Sequence, residues 1–287
     1  MEAPLRVEDT SPILGVYERL RQLHPNWHVE LGEQRGAGWL LGTALLRPHE
    51  GPFASLLANI GERMQTTNRK IVAASFALRF GWSSGASLAP FLLERCVPDI
   101  SLENVSLNFT EGALFERIAE HTPRGAMLSG EGPNHPLVER LVHEDGDSEG
   151  RWHAGLSARM RSELVAQAEP VVRALYGWSN LPKKTLWGQV LSSWAGQVTS
   201  IYAELGRHLE ALDAVENLFK STCPHLVMRP TMYPVSHASV THVHQRRATC
   251  CLYYKLPNTQ RCASCPLISQ AERETRNRAW MAASVKT

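Results

Sequence analysis

Four cysteines fall within sixteen residues near the end of the chain, as Cys250-Cys251, ten intervening residues, then Cys262-x2-Cys265. Four thiolates satisfy either a tetrahedral zinc ion or a [2Fe–2S] core, since both take soft anionic ligands. Structural zinc sites draw on two Cys-x2-4-Cys knuckles, each turn presenting two sulfurs to one ion. Here one half is such a knuckle and the other is an adjacent pair. Neighbouring side chains on an extended chain point to opposite faces, so two adjacent sulfurs reach a two-iron core more easily than a single ion. Spacing alone therefore favours iron–sulfur and leaves zinc and unligated thiols open. Arg246, Arg247, Lys255 and Arg261 flank the cysteines. Cations there suit a net-negative cluster and raise its reduction potential, although a basic solvated loop has the same composition.

Other residues able to do chemistry are sparser. His242 and His244, one residue apart on an expected strand, share a face and suit a metal, a substrate or an exposed strand surface. Cys223, followed by Pro224, is read as a half-buried free thiol, and Cys96 as the packed end of an apolar helix. Trp39 and Trp82 stand beside glycines, where an aromatic wall for a ligand competes with ordinary packing. Arg69, Lys70, Arg79 and Arg229 suit an anionic complex, but each alone reads as a solvated charge. No dinucleotide fingerprint, phosphate loop or nucleophile elbow occurs, so electrons must come from a separate donor.

The segment from Arg246-Arg247-Ala248-Thr249-Cys250-Cys251-Leu252-Tyr253-Tyr254-Lys255-Leu256-Pro257 to Cys262-Ala263-Ser264-Cys265 resembles the C-terminal motif of the FhuF-type ferric-siderophore reductases. Ala248 is an extra residue between the arginine pair and Thr249 relative to that pattern. The resemblance implies that Cys250, Cys251, Cys262 and Cys265 ligate a [2Fe–2S] cluster. It implies a helix-rich siderophore-binding domain over residues 1–240 and a cluster segment over 241–287, with Arg246 and Arg247 as candidate substrate contacts. It also implies cytoplasmic release of iron from imported ferric siderophores, often of hydroxamate type, with electrons from a reduced ferredoxin or flavin system. Peripheral contact with a membrane importer fits the same picture. A zinc-stabilised binding module and an iron–sulfur sensor without turnover are the alternatives.

The elements that must position these residues read as α+β, helix-rich with a small antiparallel sheet. Ser11-Pro12 marks a helix start, with Ser11 as N-cap and Ile13, Leu14, Tyr17, Leu20 and Leu23 on one face. Helical spacing recurs over 52–64, 71–80 and 88–96, the last two broken at Gly81–Gly85. Val105, Leu107 and Phe109 alternate with polar residues and predict a hairpin continuing through Phe115. Residues 125–150, rich in Gly, Pro, Asp and His, read as irregular and exposed. Helices return over 157–220, with Pro170 as a kink or join, and Leu186, Val190, Trp194, Val198, Ile201 and Leu205 form a long apolar stripe. Strands are expected at 226–229 and 239–244.

Composition agrees with a globular chain. Of 287 residues, 43% are hydrophobic and 20% charged, and the net charge is +2, which excludes global disorder and argues against a nucleic-acid partner of the usual basic kind. No apolar run approaches the roughly 20 residues needed to span a bilayer, and Met1–Arg6 lacks the basic-then-apolar order of a secretory signal. The expectation is a cytoplasmic protein.

Overall fold

The computed structural model describes residues 11–24, 27, 29–84, 87–110, 112, 114–130, 133–142 and 153–284. The helices are α1 (Pro12–Leu23), α2 (Gly51–Arg63), α3 (Arg69–Ser84), α4 (Leu88–Glu94), α5 (Ala154–Ser179), α6 (Lys183–Glu204), α7 (Glu210–Phe219) and α8 (Gln270–Ser284). The strands are β1 (Glu30–Leu31), β2 (Trp39–Leu41), β3 (Cys96–Pro98), β4 (Val105–Phe109), β5 (Phe115–Glu120), β6 (Gly125–Leu128), β7 (Val138–Leu141), β8 (Thr231–His237) and β9 (Val240–Arg246). The class is α+β. The chain forms two compact units: residues 1–43, 83–109 and 116–167, and residues 44–82, 110–115 and 168–287.

The first unit holds two small sheets, ordered β1-β5-β4-β2 and β3-β6-β7. The expected β4–β5 hairpin is present, with the Thr110 N–H donating to Leu114 O at 2.9 Å across its turn. Two pairings are parallel, β1 with β5 and β6 with β7, so these sheets are mixed. In β4 the polar residues Ser106 and Asn108 are as buried as their apolar neighbours. Ser106 lies 2.8 Å from His121 Nε2, which keeps its hydroxyl paired when water is excluded.

Several expectations are corrected in this unit. Ser11 occupies the N-cap position of α1, but its hydroxyl donates to Pro123 O at 2.6 Å instead of capping the helix. Leu23 is exposed and Val16 takes its place in the buried stripe. Cys96 does not end a helix. Arg95 adopts a left-handed conformation with φ 49°, which terminates α4 and turns Cys96, fully buried, into β3. The stretch expected to be irregular contains β6 and β7, and β6 is buried along its length. At Gly125 a Cβ would strike the carbonyl of Val97, so glycine there permits the β3–β6 approach rather than marking a loop.

The second unit is built around α6, which is buried around most of its circumference, including Gln189, Ser192 and Ser193 beside the predicted apolar stripe. The predicted break at Gly81–Gly85 is displaced, because α3 runs on through Ser84. The close packing of α3 on α6 explains this. A Cβ at Gly81 would overlap Ser193, and Gln197 Nε2 donates to Gly81 O and Trp82 O at 3.0 and 2.8 Å. Helix α5 continues through Pro170. The expected strand at 226–229 is a 3-10 turn, Pro224–Met228, started by a proline whose fixed φ suits a helical first turn. Strands β8 and β9 form an antiparallel hairpin pairing Thr231 with Arg246 and His237 with Val240. Among the described residues, no helix is long and apolar enough to cross a membrane.

Candidate iron–sulfur centre

Strand β9 delivers the chain to the cysteines, and α6 fixes where it lands. Gly188 on α6 packs so tightly that a Cβ there would overlap the Thr249 side chain. Gln189 Nε2 donates to Thr249 Oγ1 at 2.8 Å and to Thr249 O at 3.2 Å, and Thr249 Oγ1 donates to Thr185 O at 3.1 Å. The residue immediately before Cys250 is thus clamped at side chain and backbone to the most buried helix of the unit. On the other side, the Arg247 N–H donates to Ser264 O at 3.0 Å. That bond ties the approach to the first cysteine pair onto the turn between the second.

The loop between the pairs is held by local devices. Leu252 takes a left-handed conformation with φ 62° and starts a single 3-10 turn at Tyr253–Lys255. Thr259 Oγ1 donates back to Tyr253 O and Leu256 O. Asn258, with φ 55°, reverses the chain as a turn asparagine can. The Cys265 N–H donates to Cys262 O at 3.0 Å, closing the Cys-x2-Cys knuckle.

Each of the four sulfurs accepts a backbone N–H from the residue two positions on. Leu252 donates to Cys250 at 3.3 Å and Leu267 to Cys265 at 3.5 Å, while Tyr253 and Ser264 serve Cys251 and Cys262. Such donors favour the anionic form of the acceptor. The sulfurs also associate in twos: Cys250 bonds Cys265, and Cys251 bonds Cys262. The adjacent cysteines therefore face different partners, as the alternation of an extended chain requires. The hydrogen bond from Cys251, aided by the Arg247 cation, lowers the Cys262 thiol to about 5, and Cys251 is raised in return. Cys250 is pushed upward by burial. Among the described residues, no three His, Cys, Asp or Glu side chains converge on one point suited to a single ion.

Arg247 shows that the site fits a negatively charged group. Its guanidinium acts on both Cys251 and Cys262, yet Nε and Nη1 are buried without a hydrogen-bond partner among the described residues. Unsatisfied buried donors are costly, and the sulfides and thiolates of a [2Fe–2S] core would supply the acceptors. Arg246, by contrast, is exposed at the end of β9, so the structure does not bring the two predicted arginines to the same place.

Sequence reasoning missed Arg273. It is 1% exposed on α8, and its Nη2 donates to Cys265 O and Ile268 O, both at 2.9 Å. Helix α8 thereby grips the second knuckle from its carbonyl side. An arginine in a polar helix gives no sign of burial, and no local signal would have found it. The Gly188–Thr249 contact was equally hidden, because it joins residues 61 positions apart.

The remaining candidates take separate places. His242 and His244 share a face of β9, with ring centroids 6.3 Å apart, and His208 approaches His242 at 4.1 Å. Both strand histidines are pushed down, first by burial and then by a neighbouring imidazole, His244 to about 4. Cys223 is half-buried at the start of the 3-10 turn. Trp39 stacks with Arg117 at 5.4 Å and Arg69 with Trp178 at 5.3 Å, while Trp82 and Arg229 are exposed.

Two thiol pairs ringed by backbone donors, beside a partly buried cation, suit an iron–sulfur centre. Residues 247–267 match the family model for the FhuF 2Fe-2S C-terminal domain. The chain thus ends in a FhuF-type segment, and its cofactor is a [2Fe–2S] cluster. No curated protein matches the chain.

Proposed function

We propose that this protein is a one-electron reductase of ferric siderophores, with Cys250, Cys251, Cys262 and Cys265 as the cluster ligands. The observation that carries the reading is the FhuF-type match over 247–267 on a segment whose four thiols stand in two pairs. A [2Fe–2S] cluster, when bound, supplies electrons one at a time. Siderophores hold ferric iron with hard oxygen donors that bind ferrous iron far more weakly. A separate donor, a reduced ferredoxin or flavin system, loses one electron and the bound Fe(III) gains it. The ligand oxygens then take up protons from solvent as Fe(II) departs.

The chain's own residues hold and tune the centre. The four backbone N–H groups and Arg247 offset negative charge at the sulfurs, which favours the reduced state. Cys262 is exposed and offers the edge nearest solvent. Residues 1–240 serve siderophore binding and 241–287 the cluster, with Arg246, at the junction, meeting the incoming complex. Release in the cytoplasm, a hydroxamate-type substrate and contact with a membrane importer belong to the same reading.

The test is anaerobic. The protein is reduced, freed of excess reductant and mixed with a ferric tris-hydroxamate in the presence of a ferrous chelator. Re-oxidation of the visible spectrum with about one Fe(II) trapped per cluster supports the reading. A cluster that stays reduced would leave a sensor or a purely structural centre.

A further inference from the structure

Acidic side chains are missing from one long stretch of this chain. Residues 221–271 hold no Asp or Glu and five Lys or Arg, although the whole chain sets 28 acidic against 30 basic residues. The cysteine loop lies inside this stretch, so its cations have no nearby counter-charge in sequence. Arg246, Lys255 and Arg261 are exposed and form no ion pair among the described residues. On α8, beyond the stretch, Arg276 and Arg278 are instead neutralised by Glu272 and Glu274 at 2.6 and 3.0 Å.

Two apolar side chains stand among the loop's cations. Tyr253 and Leu267 give their backbone N–H groups to the sulfurs of Cys251 and Cys265, yet are themselves 47% and 48% exposed. Cys262, the exposed thiol, lies between them in sequence. Arg261 directly precedes it. Its guanidinium lies over the Tyr254 ring at 5.4 Å, and its carbonyl accepts a hydrogen bond from Arg276 on α8. Exposed apolar side chains interspersed with anchored cations have the composition of a protein docking face. None of Tyr253, Lys255, Arg261 and Leu267 lines the cavity of about 730 Å³ bordered by His242, His244, Ser264 and Trp280. A partner seated on the loop therefore leaves that cavity open.

We infer that this loop, through Tyr253, Lys255, Arg261 and Leu267, is the docking face for the electron donor, and that the donor is a small acidic one-electron carrier protein. The inference deepens the reductase reading, which requires a separate donor, and rests on it. The carrier loses one electron and the cluster gains it, and no bond forms or breaks. Such a transfer needs the two redox groups close together, and the exposed Cys262 edge is where the loop offers that approach. Opposite charge steers the two proteins together and raises their encounter rate. A small, weakly held interface then lets the spent carrier leave. An anionic membrane surface would also attract these cations, but lipid headgroups carry no electron to deliver at Cys262.

The probe is an acidic plant-type ferredoxin, used with the cluster-loaded full chain. Surface plasmon resonance with the oxidised ferredoxin reads binding apart from electron transfer, and stopped-flow mixing with the reduced form gives the rate of cluster reduction. Lys255→Glu together with Arg261→Glu reverses the face without touching a cysteine. Arg47→Glu, an exposed cation outside the stretch, is the control. The expected result at low salt is about tenfold or more loss of both affinity and rate in the double variant. Added salt should slow the wild type but not the double variant. Reduction by the methyl viologen radical, a small cation that needs no docking face, should not slow, and the visible spectrum should not change. Equal binding and rates in wild type and double variant, or an equal loss in Arg47→Glu, would overturn the docking face. So would a wild type that takes electrons from viologen but neither binds the ferredoxin nor is reduced by it. Binding to phosphatidylserine vesicles that the double variant loses, with ferredoxin kinetics unaltered, would assign the loop to a membrane surface instead. Charge-dependent reduction with no re-oxidation on adding a ferric tris-hydroxamate would uphold the docking face and reject the reductase reading alone.

Discussion

Two of the places where this chain draws an ionisable side chain out of water handle it in opposite ways. In the first unit Glu120 is buried and accepts a hydrogen bond from Tyr17 at 2.6 Å and one from Asn104 at 3.4 Å. Burial pushes its carboxyl up to about 8, so a proton closes the account and every group has a partner within the fold. In the second unit Arg247 stands beside Cys251 and Cys262, and two of its donors have no partner among the described residues. The carboxylate is satisfied by its own protein, whereas the cysteine loop is complete only with its cofactor. A self-satisfied buried group marks structure. An unsatisfied one beside ligating side chains marks a site.

The largest effect that would break this comparison lies at the cysteines. Cys262→Ser replaces a thiolate with a hard, weakly acidic hydroxyl, and the expected outcome is loss of most of the cluster iron and of the visible bands, with near-complete loss of reductase activity. Full iron content and an unchanged spectrum would remove Cys262 from the ligand set.

Arg247→Gln sharpens the comparison by removing the buried cation while keeping a donor. The cluster should still assemble. Its reduction potential should fall, because a nearby positive charge stabilises the more negative reduced state. Arg246→Gln, at an exposed position, should move the potential much less. Spectroelectrochemical titration of both variants checks the difference, and equal shifts would place the two arginines on the same footing.

In the first unit the test is one of pH. The folded-state pKa of Glu120 is raised, so the folded protein holds this proton more tightly than the unfolded chain. Its contribution is fully present below the unfolded value of about 4.5 and is lost as pH rises toward about 8. Thermal stability should therefore decline across that window, and Glu120→Gln, neutral at every pH, should flatten the decline. Melting curves from pH 5 to 9 measure it, and a parallel slope in the variant would show that other groups govern it. The smallest effect is expected at Cys223→Ser, which should leave iron content and spectrum unchanged.

The same contrast governs how much was legible in the sequence. The cysteine constellation was readable because its four thiols lie within sixteen residues and local turn residues such as Asn258 bring them together. Helices α2 and α6 announced themselves through apolar periodicity. What escaped was non-local. Nothing near Gly188 signals Thr249, and nothing near Arg273 signals the carbonyl of Cys265. The parallel β6–β7 pair, set in a stretch of glycine and proline, carries no alternation to betray it. The polar residues of β4 looked solvent-facing because alternation describes a half-exposed strand, and this one is buried on both faces. His242 and His244 were correctly placed on one face, but the cavity they line needed α6 and α8 to close around it.

The most direct test of the central claim is the composition and colour of protein purified without oxygen. About two iron and two acid-labile sulfide per chain are predicted, with a reddish-brown visible spectrum that bleaches on one-electron reduction. All of it should vanish when the four cysteines are replaced together. A colourless protein holding one zinc ion per chain, with no labile sulfide, would contradict the account.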